Sequence, residues 1–229
     1  MKSVSRLAFL AAAGLCASSA VAQADTFDLT SCHISGSSCE GGAIPAPGFG
    51  TVTLTQVGAN VNFSVSLING NRFVETGAGG GELFLFNDTI AGSTVTSITS
   101  SPNTPPSGLT GGTNQSPIHA DGTGDFTAFV GCTTPMGMGG ECNGGSTPVI
   151  TSLTFTVTNA TLAQLETKNA NGNIFVADIL CGAAQTQCGG LTGPVDAVPG
   201  PLAGAGLPGL VMACGGLLAL ARRRRQKIV

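Results

Sequence analysis

Few residues in this chain could do chemistry. It holds two histidines, twelve carboxylates and eight cysteines, with no tryptophan and no tyrosine. Histidine is the usual proton shuttle near neutral pH. The two available are His33, next to Cys32, and His119, inside the loop sequence QSPIHADGTGD. No G-x-S-x-G elbow occurs, so a serine nucleophile lacks a recognisable base. Paired carboxylates for glycoside hydrolysis meet only in the fold, and twelve scattered acids do not mark a pair. The expectation is a non-enzymatic protein with no cofactor.

Three ligand-binding readings can be weighed on residues alone. Asp121 and Asp125, in Asp121-Gly-Thr-Gly-Asp125, could supply two carboxylate oxygens to calcium. The twelve-residue calcium loop with its terminal Glu is absent, and alternating Asp and Gly also form ordinary turns. GAGGGE (77 to 82) invites a phosphate-loop reading, but no Lys-Ser/Thr follows and the next element reads as a strand. Glycans usually stack on Trp or Tyr, which this chain lacks, and its phenylalanines fall at strand positions that a core explains. A calcium- or glycan-binding surface module is therefore the alternative reading.

Six cysteines fall in three close pairs: Cys32 and Cys39, Cys132 and Cys142, Cys181 and Cys188. An even set in an exported domain reads as a disulfide framework, although six cysteines allow 15 connectivities. Their clustering favours the local bridges 32–39, 132–142 and 181–188. Zinc prefers shorter Cys-x-x-Cys knuckles than these spacings provide.

The elements that must position these residues are strands. Val61, Phe63, Val65 and Leu67 alternate with Asn62, Ser64 and Ser66, the period of a half-buried strand. TVTLTQV (51 to 57) precedes it across a Gly58-Ala59-Asn60 turn. ELFLFN (82 to 87) is apolar on both faces, as an inner strand would be. STVTSIT (93 to 99), DFTAFV (125 to 130) and VITSLTFTVT (149 to 158) continue the pattern, and NIFVADIL (173 to 180) is expected to be the last strand. TLAQLET (161 to 167) reads as a short helix. The segments 100 to 116 and 133 to 148 are Pro/Gly-rich and read as long loops. The fold class expected is all-β, an antiparallel sandwich of about 7–9 short strands.

The two ends differ from the middle. MKSVSRLAFLAAAGLCASSAVAQA has Lys2 and Arg6, an apolar run, then Ala22-Gln23-Ala24, which reads as a signal peptide over 1–24 cleaved after Ala24. Residues 202–221 carry no charge, and at ~1.5 Å per residue they reach roughly 30 Å, one hydrocarbon core. A basic tail, 222–229, begins with Arg222, Arg223, Arg224 and Arg225. Such a cluster stays cytoplasmic and places the preceding domain outside. A C-terminal transmembrane helix is thus expected, with an exported domain over 25–197. All twelve acids lie in that domain against Arg72 and Lys168, a net charge of −10, which argues against nucleic acid as a partner.

Val198-Pro199-Gly200-Pro201, the apolar span and the arginine cluster together resemble the PEP-CTERM sorting signal of exported Gram-negative proteins. The motif departs from the family at Gly200, where the family usually carries Glu. The order TVTLTQVGANVNFSVSL, FVETGAGGGELFLFN, GTGDFTAFV, LTFTVTNATLAQL, GNIFVADI also resembles exported domains of that family. The resemblance implies a sorting segment over 198–229, processed by an exosortase-like membrane enzyme after signal peptidase has acted. It implies an inner-membrane-anchored periplasmic domain that passes to the cell surface or extracellular matrix. There it would be structural or adhesive, with extracellular polysaccharide or other surface proteins as possible partners. No active site is carried over.

Overall fold

The computed structural model describes residues 23–76, 81–102, 108–133 and 150–197. Strict alternation builds the first sheet. Val61, Phe63, Val65 and Leu67 are buried, while Asn62 and Ser64 between them are exposed. Its strands are β1 (Ala24–Leu29), β4 (Gly50–Val57), β5 (Asn60–Leu67), β8 (Thr94–Ser101) and β13 (Ser152–Thr158). They are all antiparallel, in the order β1-β4-β5-β13-β8. The β4–β5 turn uses Gly58 at φ +61, a conformation that glycine adopts without a Cβ penalty.

The second sheet comprises β2 (Ser31–Cys32), β3 (Gly42–Ala43), β6 (Arg72–Phe73), β7 (Glu82–Phe86), β9 (Leu109–Gly112), β12 (Ala128–Cys132), β14 (Phe175–Leu180) and β15 (Thr192–Ala197). Its order is β3-β2-β15-β14-β7-β12-β9, with β6 also pairing β14. A separate hairpin pairs β10 (Ile118–Ala120) with β11 (Gly124–Phe126).

One core joins the two sheets. Phe63 of β5 stacks on Phe155 of β13 with ring centroids 4.5 Å apart. It also meets Phe86 and Phe175 from the second sheet at 5.2 and 5.9 Å. Edge and offset contacts of this kind add to the burial of each ring. The protein is all-β and antiparallel, an arrangement consistent with the expected sandwich.

Several expectations need correction. Among the described residues there are fifteen strands rather than seven to nine, because short pairings such as β2–β3 add to the long ones. Phe175–Leu180 is not the last strand. Thr192–Ala197 follows it and lies between β14 and β2, although Gly193 and Pro194 are poor strand formers. Burial prevails there, with five of its six residues buried. The expected loop 100–116 contains β9, and the run Asp125–Val130 breaks at Thr127 into β11 and β12. The short helix expected over 161 to 167 is present: α1 is a single turn, Leu162–Leu165, at whose start Gln164 Oε1 accepts the Thr161 N–H at 3.0 Å. No helix among the described residues is long and apolar enough to cross a membrane. The span expected over 202–221 lies outside them, as do the sorting motif at Val198 to Pro201, the arginine cluster and Ala22.

Candidate functional site

The outer face of the first sheet is covered by exposed and half-buried polar side chains. Antiparallel register places its outward side chains in cross-strand rungs. One runs Thr26, Thr53, Ser64, Thr154, Thr99. The next runs Ala24, Thr55, Asn62, Thr156, Thr96, and the third Asp28, Thr51, Ser66, Ser152, Ser101. Twelve of these fifteen positions carry a hydroxyl, and none of the fifteen is buried. Rungs lie about 6.8 Å apart along a strand and neighbours about 4.8 Å apart across it.

The hydroxyls are ordered by each other. Thr26 and Thr53 meet at 3.0 Å, Thr99 and Thr154 at 2.6 Å, Thr94 and Thr158 at 2.8 Å. Thr156 Oγ1 donates to Asn62 Oδ1 at 2.9 Å. Near the middle lies a shallow depression of about 340 Å³, bordered by Thr53, Asn62, Ser64, Ser97, Thr154 and Thr156 among others. Ser97 sits at φ +53 within a register shift opposite Thr154 to Thr156, so that edge of the depression is built by a bulge.

Each of the two histidines lies against a carboxylate. His33 Nε2 lies 3.1 Å from Ser31 Oγ and 3.2 Å from Asp196 Oδ2. The residue types are those of a hydrolytic triad, but the geometry is not. A relay needs the carboxylate on one ring nitrogen and the hydroxyl on the other, and here both approach Nε2. The Nδ1 edge packs on the hairpin turn, where a Cβ added to Gly122 would lie 2.7 Å from it. His33 thus faces the fully buried Asp196 and ties the hairpin turn to β2.

His119 and Asp125 are directly opposed across the hairpin and bond at 2.8 Å, both well exposed. That engages one of the two proposed calcium ligands. Asp121 is exposed in the turn, and Thr123 between them is buried, its carbonyl accepting Asn169 and Asn173 side-chain amides at 2.8 Å each. Among the described residues no group of three His, Cys, Asp or Glu side chains could hold a metal ion.

Two carboxyl clusters emerge that no local motif announces. Glu75 is buried, with no hydrogen-bond partner for either oxygen among the described residues. Burial first, then the charges of Glu82 and Asp178, push it up to about 7. Asp178 accepts both the Thr76 backbone N–H and its hydroxyl. At the end of the first sheet, Glu166 beyond α1 is also pushed up to about 7, by burial, by the charge of Asp25 and by a hydrogen bond to it. Glu166 Oε1 has no hydrogen-bond partner among the described residues, so its desolvation is not offset at that oxygen.

Two bridges close loops at one end of the second sheet. Cys32 joins Cys39 and Cys181 joins Cys188, each with Cα atoms 5.7 Å apart. The loops touch, since Ser38 N donates to Gln187 O at 2.9 Å. Gln185 Nε2 reaches Gly48 O at 3.2 Å. Cys132 is also disulfide-bonded, and Cys142 lies outside the described residues.

These features define an all-β, disulfide-stapled domain with a hydroxyl-covered sheet face. Compared with protein-family models, curated proteins and solved structures, the chain matches none.

Proposed function

We propose that this chain is a non-enzymatic exported protein of the bacterial envelope or extracellular matrix, structural or adhesive in role and delivered by its two ends. The observation that carries this reading is the pair of bridged loops, because disulfides form and persist outside the reducing cytosol. The acidic domain, the signal-like N-terminus and the basic C-terminal tail support the same placement. Fractionation with thiol counting tests it. The protein should lie outside the cytosol, with its domain cysteines unreactive until reductant is added. Cytosolic protein with free thiols would reverse the reading. Mass spectrometry tests sorting: a mature form ending near Val198 to Pro201 is expected, whereas an intact arginine tail on all copies would leave a plain anchor.

A second reading, a glycan-binding surface module, gains from the hydroxyl face. Its calcium counterpart does not gain from Asp121 and Asp125, since Asp125 is already engaged by His119.

A further inference from the structure

The outer face of the first sheet is rich in hydroxyls, and none of its rung positions is buried. The side chains bordering its central depression are neutral, in a domain whose acids exceed its bases by ten. A polyanion would be repelled by that surplus and would find no counter-charge here. An apolar partner would strand the hydroxyls without hydrogen bonds, at a cost for each one buried.

Hydroxyls have a specific capacity. Each offers one proton and two lone pairs. When Thr99 and Thr154 bond to each other, one proton is used, and the pair keeps a second proton and further lone pairs for a ligand. The same holds for Thr26 and Thr53. Such a surface both donates and accepts at every rung. The chemistry that matches it is another array of hydroxyls at short, regular spacing. The depression of about 340 Å³ falls within the usual size of a ligand site, and its open form admits a chain passing across it.

From this we propose that the hydroxyl face is a docking surface for neutral polysaccharide, engaged as a strand across Thr53, Asn62, Ser64 and Thr154. The proposal rests on the surface-adhesive reading above and names the partner of that surface. With no Trp or Tyr to stack on a ring, each sugar unit is held weakly. Retention comes from many units engaging one face, and many faces engaging one polymer. Polymer therefore binds where a disaccharide does not.

The test is co-sedimentation of the full-length oxidised protein, purified from an exporting host, with three insoluble neutral polymers: cellulose, chitin and starch granules. Parallel samples carry insoluble calcium alginate as a polyanion. Retention on at least one neutral polymer and none on alginate is expected, with no competition by the matching disaccharide at equal mass. Ser64→Glu with Thr154→Glu puts two charges into the depression and should cut the retained fraction about tenfold or more. Both residues are exposed and directly opposed across the strands, so the two like charges lower the melting temperature, and a cooperative melt well above the assay temperature confirms that the variant folds. His119→Gln, on the hairpin, should bind as the parent does. Equal retention of parent and double variant overturns the assignment to this face. Surface-located protein that no neutral polymer retains overturns the proposal and leaves the surface reading standing. Cytosolic protein with free thiols brings down the reading beneath it.

Discussion

The first sheet turns Thr53, Ser64 and Thr154 outward into solvent, whereas the second turns Leu85 and Val176 outward and has a hairpin laid over them. Ala120 and Phe126 of that hairpin are fully buried against the pair and form a small second core. The strands themselves differ accordingly. NVNFSVSL alternates, so one face is finished with polar groups as soon as the strand forms. ELFLF is buried at four consecutive positions, so its outer face needs a cover. A sheet that supplies its own polar face stays free to meet a partner. A sheet that does not must spend another segment of chain on itself.

That contrast can be broken most severely where the sheets meet. Phe63 touches rings from both and is 2% exposed. Phe63→Ala should cost about 3–5 kcal/mol in a denaturant titration. Thr154→Ala, one residue before Phe155 but on the outer face, should cost no more than about 0.5 kcal/mol. Equal losses would mean that the outer face is part of the fold's support rather than a surface held in reserve. Below these comes the stapled end of the second sheet. Cys181→Ser with Cys188→Ser opens a short loop and should cost about 2–3 kcal/mol, seen as a lower denaturation midpoint. No such bridge closes a loop between strands of the first sheet among the described residues.

How much of this could be read beforehand follows the same division. Alternation in VNFSVSL and the doubly apolar ELFLF gave strand type and facing, because both are local. The adjacency of Cys181 and Cys188 was enough to suggest their bridge. Strand β15 was hidden because Gly193 and Pro194 disfavour strands locally, and burial between β14 and β2 outweighs them. The threonine stretches TVTLT and LTFTVT were visible as separate strands. Their merging into rungs depends on register, which no single strand contains. The pairing of Glu166 with Asp25 joins residues far apart in the chain, so spacing could not signal it.

The two raised carboxyls probe both sheets by pH. Glu75, beside β6, has an ordinary value of 4.5 that rises to about 7 in the fold. The folded chain therefore keeps a proton that the unfolded chain gives up. The stability tied to that proton is whole below about 4.5 and is lost as pH rises through about 7. Melting temperature should accordingly fall between pH 5 and 8, and Glu75→Gln should flatten much of that slope. A parent profile flat over the same window would remove the assignment.

The smallest effect sits at the start of the first sheet. Cleavage after Ala24, the site expected from Ala22-Gln23-Ala24, leaves a new α-ammonium on Asp25, the residue whose carboxylate faces Glu166. An α-amine is normally protonated up to about pH 7.7–8.0, so it would bring one positive charge near Glu166, which burial and then the charge of Asp25 otherwise push up. Mature protein with a free Asp25 amine should then be stabler at pH 7 than the same protein acetylated there, by no more than about 1 kcal/mol. The difference should shrink in Glu166→Gln and disappear above pH 9, where the amine is neutral. If the acetylated and free forms melt together at pH 7, the new terminus does not offset what raises Glu166.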